Sequence, residues 1–234
     1  MVLRGKKSCE TGEGGQVWVW TAVDAKTRLL MTFFVGDRKE ESCKQFVSQV
    51  AHVIGEKSKP LFASDELPTY ASALEKEFGK VIVPEHTGKQ GRPRLPYSVP
   101  ADDLDYVTVQ KTREGGRVVK VEKRIVFRNV QRIDERMMDS PSSKINTSFV
   151  ERHNGILRQM DSHLKRKALT FAKSFRWFKA KLGFVAAFYN FVRPHGTLCK
   201  INNHSELLHT PAMAVGLSNH AWTLEELMTV HVVQ

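Results

Sequence analysis

One acidic side chain, Glu151, sits at the head of TSFVERHNGILRQMDSHLKRK (Thr147–Lys167), a segment otherwise crowded with cations. From Arg152 to Lys181 there are nine Lys or Arg against a single acid, Asp161, so +8 of the chain's formal +11 lies in thirty residues. A carboxylate kept among so many positive charges fits a divalent-metal ligand in an enzyme acting on a polyanion, with flanking Lys and Arg holding phosphates and releasing counterions. The plainer reading is a solvated basic helix that carries an incidental Glu.

A second acid, Asp65 in FASDELPTY (Phe62–Tyr70), falls at the carboxyl end of a predicted strand, where α/β sheets place ligands. Phosphoryl transfer on a pair of Mg²⁺ ions about 4 Å apart needs carboxylates from different elements, and a strand end facing a helix provides them. On the helix, Glu151, Asn154 or Gly155, and Arg158 share one face, which would align metal ligand, polar contact and phosphate clamp. The competing reading of Asp65 is an Asx-type cap on the helix that begins near Pro68.

The positioning elements follow from periodicity. Val17–Val23 and Leu29–Val35 are apolar runs separated by DAKTR, which predicts two antiparallel strands. Cys43, Phe46, Val47, Val50 and Ile54 recur at helical spacing over 40–54. A short strand over 60–63 leads to Asp65, then a helix from Pro68 buries Tyr70, Leu74 and Phe78, and a strand covers 80–83. This order predicts a mixed α/β sheet flanked by helices.

Residues 85–146 read as a β-rich insertion with strands over 106–110 and 118–127 around EGGR, and their charge is mixed, thirteen basic against nine acidic. Within them QGRPR (Gln90–Arg94) is similar to the Arg-Pro-Arg core of a minor-groove hook. Past Phe149 the pattern is helical to about Val192, with a break near 168–171. A stripe of Trp177, Phe178, Leu182, Val185, Phe188, Tyr189 and Val192 is expected in the core, and Arg193-Pro194-His195 ends the helix. Residues 1–195 thus form the expected core and 196–234 a C-terminal tail, with a last helix capped by Thr223.

A pI near 9.7 argues for nucleic acid or an anionic surface as partner. No apolar run approaches the ~20 residues that span a bilayer, and the N-terminus has no apolar signal region, so a cytoplasmic protein is expected. Cys9, Cys43 and Cys199 are scattered and odd in number, which supports neither a disulfide framework nor a zinc ribbon.

Several blocks, in order, resemble the DDE-class transposases of the insertion-sequence-one type. They are GKK (Gly5–Lys7), WVWTAVDAKTRLLMTFFVGDR ending at Arg38, SDELPTYASAL (Ser64–Leu74), INTSFVERHNGILRQ (Ile145–Gln159), LKRKALTFAKS (Leu164–Ser174), FYNFVRPHGTL (Phe188–Leu198) and TPAMAVGLSNHAWTLEEL. The resemblance implies an RNase H-like core that cleaves and joins DNA strands at element ends, with Mg²⁺ or Mn²⁺ in a two-metal site. Asp65 would be the second catalytic carboxylate and Glu151 the third, and Arg152, Asn154, Arg158, Lys165, Arg166, Lys167 and Lys173 would contact DNA. The implied partner is double-stranded DNA, at transposon ends and target, in a nucleoid-associated homo-oligomer without membrane contact.

In that family the first aspartate lies on the first core strand, just before GKK, where this chain has only MVLR. The first strand, its ligand and an amino-terminal DNA-binding segment are therefore expected to be missing. Asp24, in the turn between the two opening strands, is a poor substitute. A catalytically inactive, truncated DNA-binding remnant is the alternative.

Overall fold

A computed structural model describes residues 2–10, 16–55, 59–84, 94–128, 130–138, 145, 147–165, 169–170, 172–201 and 208–230, with the backbone alone at 2–10, 16, 200 and 201. The elements in chain order are strands β1 (Val2–Glu10), β2 (Gln16–Val23) and β3 (Leu30–Gly36), helix α1 (Glu40–Ile54), β4 (Leu61–Ser64), α2 (Thr69–Phe78), β5 (Lys80–Ile82), β6 (Tyr97–Val99), β7 (Asp105–Glu114), β8 (Arg117–Phe127) and α3 (Val130–Met138). Then come α4 (Ser148–Met160), a 3₁₀ turn (Ser162–Leu164), α5 (Phe175–Ala187), a π-helical turn (Phe188–Val192), α6 (Gly196–Ile201), α7 (Pro211–Ala214) and α8 (Leu224–Thr229). They form two compact units: residues 39–147, and residues 2–38 with 148–234.

The first unit is mixed α/β. Helix α1 buries Cys43, Phe46, Val47, Val50 and Ile54, the stripe expected from spacing, and Gly55 closes it with φ 61°, a left-handed value that favours glycine. Helix α2 packs on α1 with Phe46 edge-on to Tyr70, their ring centroids 6.5 Å apart. Strand β4 pairs in parallel with β7, Leu61 opposite Asp105 and Ser64 opposite Thr108, and β7 pairs antiparallel with β8. Gly115 and Gly116 turn that hairpin with φ 54° and 81°, as a two-residue loop of the type I′ kind requires.

The supposed insertion is therefore corrected in part. The first half of β7 is buried, and its parallel pairing with β4 makes it an integral sheet strand. The outer hairpin, Thr112–Arg124, is solvated on both faces, and its alternation concealed how deeply the strand begins. Asp105, at the buried start of β7, is fully enclosed and pairs with Arg132 (3.2 Å) and Arg136 (2.7 Å) of α3.

In the second unit β2 pairs antiparallel with β1 and with β3. The expectation of a missing first strand is thus corrected: the backbone of Val2–Glu10 lies along β2, Val2 opposite Val23 and Glu10 opposite Gln16. The residues after MVLR continue extended and supply the pairing that a longer preceding segment was expected to provide. Val17, Val19 and Val35 of the strands meet Leu157 of α4, Leu164, and Phe178, Leu182 and Val185 of α5 in one core. Trp177, expected in that core, is 73% exposed, and α4 stops at Met160 instead of running on. The 196–234 tail packs in this unit through α7 and α8, with Thr223 capping α8 in a reciprocal box with Glu226.

After α5 the helix widens into the π turn, marked by the Arg193 amide bonding the Phe188 carbonyl at 3.0 Å. The turn carries Asn190 onto β3, where its Oδ1 accepts from the Leu30 amide and its Nδ2 donates to the Leu30 carbonyl, both at 3.0 Å and buried. Asn190→Leu keeps the volume and leaves both buried groups of Leu30 unpaired. A loss of roughly 2–4 kcal/mol in urea unfolding is expected; a loss under about 0.5 kcal/mol would show that the amide clamp contributes little.

Candidate functional site

Asp65 stands immediately after β4, half-buried, at the carboxyl end of a parallel-paired strand, the position expected from its sequence. The residue ahead of α2 is Pro68, and no side chain caps that helix from the cap position. Beneath Asp65, the buried Ser64 hydroxyl donates to the Asp65 carbonyl at 2.6 Å, so the Tyr106 hydroxyl, 2.7 Å from Ser64 Oγ, is the donor of that pair. Burial pushes the Tyr106 phenol above its ordinary range, and the negative charge of Asp65 adds to the shift against the opposing Ser64 hydrogen bond. The Cys43 thiol is raised likewise, by burial first, with the charges of Glu40 and Asp65 adding and a Thr69 hydrogen bond opposing. Both groups stay protonated at neutral pH, so neither is a nucleophile.

Glu151 lies in the first turn of α4, half-buried, where the helix dipole favours a negative charge. The buried face of α4 is Val150, His153, Asn154 and Leu157. Asn154, expected to contact DNA, is 7% exposed, and its Oδ1 accepts from the Thr21 hydroxyl of β2 at 3.3 Å. Arg158 is half-buried and folds back on its own helix, Nε donating to the Asn154 carbonyl at 2.8 Å. Arg152, Lys165 and Lys173 are exposed, as phosphate contacts require, while Arg166 and Lys167 lie outside the described residues, as does all of QGRPR except Arg94. Asp24 folds onto its own turn, its carboxylate accepting from the Thr27 amide at 2.9 Å and from the Thr27 hydroxyl. Those bonds outweigh its burial and hold its pKa below the usual carboxylate value.

Carboxylate oxygens are the hard donors that Mg²⁺ takes, and Asp65 and Glu151, each in its own unit, keep part of their surface open, so both fit as ligands. Among the described residues no group of three or more His, Cys, Asp or Glu is placed to hold a metal ion.

Sequence reasoning missed a cavity of about 340 Å³ in the second unit, lined chiefly by Arg152, Tyr189, Arg193, His195, Gly196 and Thr197. Its signal was Arg193-Pro194-His195, which reads as a helix stop and is one. The His195 imidazole is held below its ordinary pKa by burial, then by the positive charges of Arg28, Arg152 and Arg193. Tyr189 donates its hydroxyl to the Arg28 carbonyl at 3.0 Å, and burial pushes its pKa up to about 12 against the pull of Arg193 and Arg28. His153 lies edge-on to Tyr189, ring centroids 4.5 Å apart, and burial, with the charge of His195 adding, depresses its pKa to about 3.

Comparison with protein-family models, curated proteins and solved structures finds no match for this chain. Among the described residues no helix is long and apolar enough to cross a membrane.

The two histidines predict an acid dependence of stability. His153 binds its proton near pH 6.5 when unfolded and only near 3 when folded, so the unfolded state takes up protons first as pH falls. Its contribution is complete above about pH 6.5 and is lost below it by roughly 1.4 kcal/mol per pH unit, down to about pH 3. Urea midpoints for the wild type are expected to fall more steeply between pH 6.5 and 4.5 than those of His153→Phe. Parallel curves would mean that His153 is protonated alike in both states.

Proposed function

We propose that this chain is the catalytic region of a DDE-class transposase of the insertion-sequence-one type, cleaving and transferring DNA strands at element ends. The observation that carries the reading is Asp65 at the open carboxyl end of β4, with Glu151 in the first turn of the ERHN-bearing helix α4, in a chain whose motif order resembles that family. Asp65 and Glu151 are the metal-holding carboxylates in this reading. Mg²⁺ or Mn²⁺ bound by them would supply Lewis-acid polarisation of a phosphate oxygen and an activated water. Water and then a 3′-hydroxyl attack the phosphodiester in line, so no Ser or Tyr nucleophile is needed, in keeping with the protonated, buried Tyr106 and Cys43.

Duplex DNA is the proposed partner, held by the exposed Arg152, Lys165 and Lys173 together with Arg166 and Lys167. The proposed setting is the nucleoid, with a homo-oligomer pairing two element ends. Those exposed cations also favour a second reading, a DNA-binding protein without chemistry, in which the same residues grip backbone phosphates regardless of sequence.

Two measurements separate the readings. Purified protein with Mn²⁺ is expected to nick a labelled element end, and Asp65→Asn or Glu151→Gln to lower the rate at least 100-fold; equal nicking by all three proteins removes these carboxylates from the mechanism. DNA affinity is expected to fall steeply with salt, and Lys165→Ala with Lys173→Ala to reduce the slope of log K against log salt by about 2. An unchanged slope would move the phosphate contacts elsewhere.

A further inference from the structure

The cavity of the second unit brings two guanidiniums and an imidazole together: Arg152, Arg193 and His195 line it, and among the described residues no Asp or Glu does. Arg28 is not among its lining residues but sits directly behind them, its carbonyl accepting from the hydroxyl of the lining Tyr189 at 3.0 Å. Arg28 is only 9% exposed, its guanidinium lies 4.0 Å above the Phe149 ring, and its buried Nε and Nη1 have no hydrogen-bond partner among the described residues. The buried Nδ1 of His195 likewise has none. Among the described residues Asp24 is the acid whose charge reaches Arg28, and its Oδ2 is already bonded by Thr27.

The first unit shows what a merely structural arginine pair looks like. Arg132 and Arg136 also line a pocket, but the buried Asp105 carboxylate bonds both, and Glu135 lines the same pocket. Their charge is used up within the fold. A buried guanidinium without an anion is costly, and two more cations beside it raise the cost. An oxyanion in the cavity removes it.

We propose that this cavity is a phosphate-binding site, in which Arg28, Arg152, Arg193 and His195 hold a phosphate group and Thr197 adds a hydroxyl. The chemistry favours phosphate over a carboxylate, because several planar forks converging on one volume suit a tetrahedral, doubly charged acceptor. A volume near 340 Å³ admits a phosphate with its attached sugar, within the roughly 300–1,000 Å³ range of small-ligand pockets. The phosphate belongs either to a nucleic-acid backbone or to a free phosphate or phosphomonoester. The site stands on this geometry whether or not the chain cleaves DNA.

The test is calorimetric titration of the full chain with inorganic phosphate. Saturable binding is expected, weakened at least tenfold by Arg193→Gln and by Arg28→Met, and about threefold by Thr197→Val. Arg193→Lys, which keeps the charge and loses the fork, should fall between wild type and Arg193→Gln. Arg117→Gln, an equal charge change on the exposed hairpin of the other unit, should leave the affinity unaltered. A short DNA duplex that displaces phosphate from the wild type assigns the site to backbone phosphate, and a duplex that binds without displacing it assigns the site to a free phosphate. Absence of saturable phosphate binding, or equal affinities in wild type, Arg193→Gln and Arg193→Lys, overturns the proposal. The titration is run without a divalent metal and reads no cleavage, so a failure of the nicking test leaves this one intact.

Discussion

The second unit depends on a side-chain amide that stands in for a strand. Asn190 offers Leu30 one donor and one acceptor at the two positions a neighbouring strand would fill. A regular α-helix through 188–192 would rotate successive side chains by the usual 100° and lose that alignment; the wider π turn supplies the extra backbone needed to aim it. The consequences reach further than β3. The same turn aims Tyr189 at the Arg28 carbonyl and at His153, and delivers Arg193 and His195 to the mouth of the cavity. Backbone pairing, aromatic packing and the convergence of cations therefore rest on one local departure from helical geometry.

Charge is managed in two opposite ways in the two units. Asp105 is fully enclosed and survives because two guanidiniums bond it, while a third interaction, from Arg136 to the Lys59 carbonyl, ties α3 to the approach to β4. Removing both arginines would expose the usual cost of an unpaired buried carboxylate, which exceeds what the intact pairs contribute. Arg28 shows the reverse case, a buried cation that lies over the face of Phe149 and whose Nε and Nη1 have no hydrogen-bond partner among the described residues. Its backbone φ of 65° is unusual for a residue with a side chain, and the fold holds it there through Asp24, whose carbonyl accepts from the Arg28 amide.

What was legible in the sequence was whatever burial writes as period. The five buried positions of α1, and Tyr70, Leu74 and Phe78 among the four of α2, stand at the expected residues because those helices have one dry face and one wet one. The continuous run Val17–Val23 announced a strand covered on both sides, and its interior residues are indeed enclosed. Asp65 was legible for the same reason, since a strand followed by a proline-started helix fixes where the strand ends. Period failed where one element changes environment along its length. β7 begins enclosed and ends in solvent, so its inner half was mistaken for part of an appendage. Spacing likewise put Asn154 on the face of Glu151, yet the helix turns it inward to meet Thr21, a partner far away in sequence. The cavity was illegible because its parts, Arg152 and Arg193-Pro194-His195, come from separate segments whose meeting is set by the π turn, and no propensity scale encodes that turn.

The distribution of protonation states bears on the chemistry of the candidate carboxylates. Around Asp65 the titratable neighbours Cys43 and Tyr106 are both pushed toward their neutral forms, so negative charge at that strand end is left to the carboxylates of Asp65 and the exposed Glu66. Glu151 sits where a helix dipole favours the same form. In its own unit Glu151 is followed directly by the cation-lined cavity, since Arg152 is both its neighbour in sequence and a wall of that cavity. In the proposed reading a phosphate ester suits this pairing of an acid and guanidiniums on adjacent residues: its non-bridging oxygens would meet the cations, and Glu151 would hold a metal ion beside them. A carboxylate would match the planar forks less well than a tetrahedral phosphate, and a neutral substrate would offer them no charge.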